Sequence, residues 1–393
     1  MNSSGNTFKL FSGCNKKYLL GILLILSSCT WNRTKIPEQR NLSDKPIVSY
    51  AKRLILEQKE GYSQVSVVNP WQGANNIIQN WYLVPVGKAA PRGIDTISVI
   101  HVPVKKIICM STTHVSMISA LGENESIIGF SGTGLIFNRV VNDRVKSRAI
   151  KDVGYDDNLN KELILETHPD LIMVFGIGSE SAGYIGKLKE LGMKVMYNAD
   201  YLETDPLGKA EWIKLFGALY CKESLADSIF VSIEQKYNQL KDFIRVKTAT
   251  RPKVLLGLPF KDTWYISPGN SYISNLIRDA GGDYLWENSE SMFSMPVAPE
   301  TVYIKALTAD FWLNIGIAKT RDDIVSIDSR LSDLPCYKNG NLFNNTKRIN
   351  ANGGNDYWEG GTVNPDIILT DIASILHPGL FPGRELFYYK KLN

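Results

Sequence analysis

Histidine is scarce in this chain and cysteine is scattered. Four histidines, His101, His114, His168 and His377, fall in 393 residues, and none sits in a short metal-ligand spacing. A protein that holds a bare transition-metal ion gathers several imidazoles or carboxylates, so the spacing gives that class no support. There is no H-E-x-x-H pair and no G-x-S-x-G elbow, which removes the signatures of zinc proteases and α/β-hydrolases. Beyond Cys29, Cys109, Cys221 and Cys336 are odd in number and far apart, so no disulfide framework follows. Charge of one sign is missing too. Residues 1–28 carry three lysines and no acid, so without them the formal charge falls from +4 to +1. A near-neutral chain offers nothing for nucleic acid and no extended basic face for a membrane.

Only one run is strongly apolar. Lys16-Lys17 precede it, Tyr18 to Leu26 form it, and Leu26-Ser27-Ser28-Cys29 closes it. It is about half of the ~20 residues that a spanning helix needs. A basic start, an apolar middle and small residues before a cysteine make a signal peptide with a lipobox. Residues 1–28 are therefore expected to be a lipoprotein signal peptide, with lipid on Cys29. The polar, proline-containing stretch 29–48 reads as a tether.

Residues 49–102 look β-rich. Leu54-Ile55-Leu56 and Val65-Ser66-Val67-Val68 flank a Lys59-Glu60-Gly61 turn, and strands follow at Trp81–Val84 and Thr96–Ile100. From 103 the pattern becomes strand, helix, strand, which implies parallel sheets covered by helices. Glu223 to Lys247 holds no Gly or Pro. Leu225, Ile229, Ile233, Tyr237, Leu240 and Ile244 fall on one helix face. At 1.5 Å per residue this helix is roughly 35–40 Å long. Strand and helix signals then return in similar order, with Glu162 and Glu300 opening corresponding helices. The expected fold class is α/β: two Rossmann-like lobes joined by a long rigid helix, after a small antiparallel β extension. The bounds are 103–205 for the N-terminal lobe, 206–250 for the helical linker and 251–393 for the C-terminal lobe.

Several residues carry possible chemistry. Gly176-Ile177-Gly178 after a strand, with Asp200 further on, partly matches a dinucleotide fingerprint, but the third glycine is displaced. Loop-forming glycines are the better reading. His114 follows a strand end, where open α/β sheets present ligand-contacting loops; a capping or structural histidine explains it at least as well. Tyr357 and Trp358 stand in a loop bracketed by glycines, Trp264 and Tyr265 between a strand and a helix, and Tyr155 in a comparable first-half loop. Such aromatics suit a ligand's flat faces or pack within the loops.

The order of these segments resembles the periplasmic substrate-binding proteins of ABC importers for iron–siderophore complexes, haem and cobalamin. The resemblance covers roughly residues 103–380. Pro103 to Thr113 is similar to that family's first strand and Ser/Thr loop. Leu121-Gly122 with Ile127-Ile128-Gly129 is similar to its next turn and strand. Leu159 to Glu162 with Pro169 to Ile172, and Pro299 to Val302 ahead of Asp310, look like its segments with docking glutamates. Asp356-Tyr357-Trp358-Glu359 is similar to a cleft-facing segment of the cobalamin binders. The 49–102 extension looks like that of Bacteroidetes-type lipoprotein members.

The resemblance implies a monomer without catalytic activity or a resident cofactor. Its ligand would be a ferric siderophore, haem or cobalamin, held between the lobes by His114, Tyr155, Trp264, Tyr265, Tyr357, Trp358 and Glu359. Arg139 and Arg348 are candidates for ligand carboxylates or phosphate. Glu162 and Glu300 would dock on an inner-membrane ABC permease, which works with its ATPase. The protein would sit in the periplasm, lipid-anchored. The alternatives are an exported metal-cluster or redox enzyme on the same scaffold, and a surface subunit that binds a partner without transport.

Overall fold

A carboxylate buried under the first ordered strand shows how the body begins. The computed structural model describes residues 47–155, 158–176 and 180–393, with only the backbone at 180–184. Cys29, the signal peptide and most of the tether lie outside the described residues. Glu211, fully buried, accepts the backbone N–H groups of Ser49, Tyr50 and Ala51 at 2.7–3.1 Å. Lys214 donates to the same carboxylate at 3.0 Å and to the Ile47 carbonyl at 2.7 Å. Glu203 takes the next two N–H groups, from Lys52 and Arg53, at 3.0 Å each. Five successive amides are thus satisfied by two side chains.

The extension then forms β1 (Leu54–Lys59), β2 (Tyr62–Val68), β3 (Ile78–Pro85) and β4 (Val99–Val102), in that sheet order. The hairpin turns at Glu60-Gly61 as expected. The sheet is not wholly antiparallel, however. β4 runs parallel to β3, because Thr96–Ser98 is a short 3-10 turn that brings the chain back across one face. Trp81 is buried within this layer. Trp71 leaves it to pack on Tyr197, with ring centroids 5.2 Å apart, and bridges to Gly176.

The N-terminal lobe is a parallel sheet of β5 (Ile107–Cys109), β6 (Ile127–Phe130), β7 (Lys151–Asp152), β8 (Leu171–Val174) and β9 (Val195–Tyr197). Its order is β7-β6-β5-β8-β9, so the winding reverses between β5 and β8. Helices α1 (Thr112–Ala120), α2 (Arg139–Lys146), α3 (Lys161–Thr167) and α4 (Glu180–Glu190) belong to this half. Next come α5 (Pro206–Glu211), α6 (Ile213–Leu219) and the long α7 (Glu223–Lys247).

The C-terminal lobe begins with β10 (Lys253–Leu256). β11 (Trp264–Ile266) lies apart, and β12 (Asp283–Tyr284) pairs with β10. β13 (Met295–Val297) pairs with β11, while β14 (Phe311–Leu313), β15 (Leu342–Asn344) and β16 (Lys390–Lys391) complete the sheet β12-β10-β14-β15-β16. Its helices are α8 (Tyr272–Asp279), α9 (Pro299–Ala306), α10 (Arg321–Ile327), α11 (Pro335–Lys338) and α12 (Pro365–Leu376).

The long helix has the expected length but a turned face. Ala226, Phe230, Ile233, Tyr237 and Ile244 are its buried residues, whereas Leu225 is exposed. Near its start the helix rolls toward α6. There an added Cβ on Gly217 would meet the Ala226 Cβ at 2.5 Å, closer than any real contact. Phe230 instead meets the ring of Tyr50, at 5.9 Å, and the Lys214 ammonium, at 4.7 Å.

Replacing Glu211 by Ala removes the acceptor of three successive N–H groups and leaves Lys214 with Asp227 as its only carboxylate partner among the described residues. We expect a loss of about 3 kcal/mol in urea unfolding and new proteolytic cuts between residues 46 and 56. An unchanged midpoint would show that these hydrogen bonds do not hold the extension.

Candidate functional site

In open parallel sheets, ligands sit outside the carboxyl ends of the strands, where the winding reverses. In the N-terminal lobe that point lies beyond β5 and β8. Ser111 caps α1 there, its hydroxyl accepting the Thr113 N–H at 3.3 Å. Asp152 at the end of β7 shapes the neighbouring loops, accepting from Thr133 N, Thr133 Oγ1 and Gly154 N at 2.7–3.0 Å. Burial opposes its charge, yet these bonds hold its carboxyl below the usual range. Ser111, Thr112, Ser131 and Phe175 line one side of a cavity of about 200 Å³. Tyr155 and Trp358, each 48% exposed, flank it, and Gly353, Gly354 and Asn355 close it from the C-terminal lobe. Among the described residues, none of its lining side chains is charged. The sequence at 156–157 and 177–184, which follows β7 and β8, holds no Lys, Arg or His.

The loop bringing Trp358 to this cavity is clasped to the opposite lobe. Asn350 Nδ2 donates to the carbonyls of Gly134 and Ile136, each at 3.0 Å. Its Oδ1 accepts from Asn352 N and Gly354 N at 2.9 and 2.8 Å, which sets the loop's own turn. Glu359 reaches across as well: its two oxygens accept from Phe137 N and Asn138 N, both at 2.7 Å. Gly354 lies so close to the Leu135 carbonyl that no side chain fits there. Behind the clasp, Arg348 Nε pairs with Asp356 at 2.6 Å, and its guanidinium lies 4.4 Å from the Phe387 ring centroid.

Of the residues singled out in the sequence, the structure brings only Tyr155 and Trp358 to the cavity wall. His114 is not in a strand-end loop. Because α1 starts at Thr112, His114 falls in its first turn and points into the core, 0% exposed, 6.2 Å from the Phe216 ring. Neither ring nitrogen has a partner among the described residues, and burial pushes its pKa down to about 3. Trp264 is fully buried, stacked on Trp312 at 5.8 Å, with Nε1 donating to the Leu256 carbonyl. Tyr265, next on the strand, faces out. Tyr357 turns inward against Trp358, Tyr388 and Tyr389, at 4.6, 6.0 and 5.8 Å. Glu359 spends its carboxylate on the clasp. Arg348 and Arg139 lie behind the clasp rather than in the front cavity.

Glu162 and Glu300 are exposed in the first turns of α3 and α9, one per lobe. Glu300 pairs with Arg330 at 3.1 Å; Glu162 makes no ion pair among the described residues. Cys109 and Cys336 are buried, Cys221 is exposed, and all three are free thiols. No group of three His, Cys, Asp or Glu among the described residues is placed to hold a metal. The sequence marks Gly353-Gly354 as a loop bracket but gives no sign that Asn350 and Gly354 meet the opposite lobe or that Leu135 lines the cavity.

Burial raises the Glu359 carboxyl from 4.5 to about 7, against the pull of its two amides. Asp356 pushes it the same way, while Arg348 sits on Asp356. Folding therefore favours the protonated form between these values. Its contribution is complete below about pH 4.5 and is lost as pH rises through 7. Urea unfolding of wild type should lose about 3 kcal/mol more than Glu359→Gln between pH 5 and 8. Parallel pH profiles would mean that Glu359 is not the titrating group.

A family model described as periplasmic binding protein matches residues 107–348. An uncharacterised lipoprotein of Methanocaldococcus jannaschii is 29% identical over 92% of this chain and 90% of its own. That share is too large to omit the whole β extension, so part of 49–102 is common to both. A second uncharacterised lipoprotein of that organism is 24% identical over 95% and 97%. Among solved structures, a periplasmic binding protein from Veillonella parvula covers 81% of this chain and 98% of its own, with TM-score 0.56 and 12% identity. A periplasmic heme-binding protein from Pseudomonas aeruginosa covers 74% and 98%, with TM-score 0.55 and 15% identity. At such identities the structures speak for the fold. A family match over more than half the length makes this chain a member of the periplasmic binding protein family.

Proposed function

We propose that this protein captures a metal chelate between its lobes and delivers it to an inner-membrane ABC permease, from an extracytoplasmic position held by lipid on Cys29. The family match and the relatives named lipoproteins support the binding role and the location. The observation that carries the reading is the cavity at the strand ends. Tyr155 and Trp358 offer aromatic faces, Ser111, Thr112, Ser131 and Asn355 offer neutral polar groups, and among the described residues no charged side chain lines it. Such a wall suits a chelate whose metal is already coordinatively satisfied. It supplies no cation for an anionic ligand, and burying an uncompensated charge is costly. Corrinoids and neutral or cationic ferric hydroxamates fit it better than haem, with its two propionates, or a polyanionic ferric catecholate.

Titration of the mature protein with cobinamide, cyanocobalamin, a ferric tris-hydroxamate, haemin and a ferric tris-catecholate checks this. Tryptophan quenching is expected from members of the first three. Trp358→Ala and Tyr155→Ala should each weaken binding roughly tenfold. Silence across the whole set would remove the reading.

Glu162 and Glu300 are the proposed docking pair, one acid per lobe meeting permease arginines. Across such contacts, charge steers and orients more than it adds affinity. Reversing both to Lys should abolish uptake in cells while the purified protein keeps its ligand affinity. A loss of ligand affinity instead would assign these residues to the body, not to docking.

A further inference from the structure

Behind the clasp lies a second, larger cavity of about 800 Å³. Its walls come from α1, the start of α2, the outer side of α7 and the turn leading into α12. The clasp loop separates it from the front cavity: Trp358 lines the front, and Glu359, the next residue, lines the back.

Its lining differs from that of the front cavity. Arg139, Lys236 and Arg348 all line it, against two carboxylates, Asp356 and Glu359. Both carboxylates are already engaged, Asp356 by Arg348 and Gly360 N, Glu359 by two amides across the lobes. Arg139 and Lys236 remain in no ion pair among the described residues. Asp366 is the acid nearest in effect to Lys236, and it draws no contact within ion-pair distance. The positive ends of α2, at Asn138, and of α12, at Asn364, border the same space. The Asn364 side chain caps no N–H of α12; it donates to the Gly360 carbonyl.

A hydroxyl on the cavity wall supplies an independent observation. Ser116 is only 6% exposed, lines this cavity and makes no side-chain hydrogen bond among the described residues. Its oxygen opens onto the cavity, where it can donate or accept. The rest of the surface is apolar: Ala120, Phe137, Ile229, Ile233 and Val363. Surface cations around a groove are ordinarily just solvated. Here two cations outside any ion pair, two helix starts and an open hydroxyl border an apolar floor.

We propose that this groove is a second binding site, for a small organic anion: a carboxylate or phosphate group on a short apolar body. The anion would sit between Arg139 and Lys236 and accept from Ser116, with the apolar body on Ile229, Ile233 and Val363. The assignment does not depend on what the front cavity binds.

Calorimetry of the mature protein with octanoate, octyl phosphate and inorganic phosphate tests it. One of the two amphipathic anions should bind, and inorganic phosphate more weakly. Arg139→Gln with Lys236→Gln, both at exposed positions, should weaken that binding at least tenfold. Ser232→Trp, on the outer side of α7, should block it by filling the groove. Two results would overturn the site: no heat from either amphipathic anion, or binding that survives both sets of substitutions. Inorganic phosphate binding as tightly as octyl phosphate would overturn the apolar half. Flotation with phosphatidylglycerol vesicles that needs Arg139 and Lys236, without binding of the free anions, would replace the solute by a lipid headgroup.

Discussion

Glu359 spans the gap between the lobes, and most of the site's geometry depends on that span. Its two oxygens hold successive amides of the N-terminal lobe. Asn350 holds two carbonyls of the same loop. The lobes are thus joined along α7 and through this clasp. A hinge so attached cannot open freely, so motion by a few backbone dihedrals would have to break these four hydrogen bonds and the one from Asn275 Nδ2 to the Thr204 carbonyl. The clasp is not an inexpensive device. Burial raises the Glu359 carboxyl to about 7, so its charged form is disfavoured at any lower pH. What the residue contributes is placement: it fixes the loop that presents Trp358.

That one loop also separates two chemistries. The cavity in front has aromatic and neutral polar walls, and the groove behind collects cations. Neighbouring residues serve opposite sides: Leu135 faces the front and Phe137 the back, as do Trp358 and Glu359. A displacement of the clasp would therefore alter both spaces together. The neutral front wall has an electrostatic consequence. In a low-dielectric cleft a single unpaired charge is expensive, so under the proposed function selectivity among chelates would follow from what the described wall lacks as much as from what it offers.

The fold was legible because its signals are local and periodic. The hairpin around Glu60-Gly61, the gap-free run 223–247 and the alternation after residue 103 all appear where the sequence puts them. The site was less legible because inside and outside differ by one residue. Trp264 and Tyr265 are adjacent on a strand, and period-two alternation sends one inward and the other to solvent. Tyr357 and Trp358 part in the same way in a loop, where no period announces it. His114 was assigned to a loop, but a serine cap started the helix two residues earlier and turned the imidazole into the core. The turned face of α7 has a similar origin. Leu225 fits the helical period, but Gly217 lets the α6 backbone approach at Ala226, and close packing overrides the apolar pattern. Asn350 and Glu359 could be recognised only once both lobes were in place, since their partners lie 214 and more residues away.

The two candidate docking acids are alike in sequence and unlike in structure. An acid in the first turn of a helix is favourable on its own account, so position alone says little about docking. Glu300 already has a guanidinium partner in Arg330, while Glu162 has none among the described residues. An exposed pair of this kind contributes little to stability, so an arginine on a partner could displace Arg330 with little loss. Asp328 lowers the cost further, because it binds Arg330 through both Nε and Nη2 at 2.7–3.1 Å. Released from Glu300, Arg330 keeps a carboxylate and does not become an unpaired charge in the new contact. Asp328 thus lets Glu300 change partners without leaving a repulsive arginine behind, and the unpaired Glu162 needs no such neighbour.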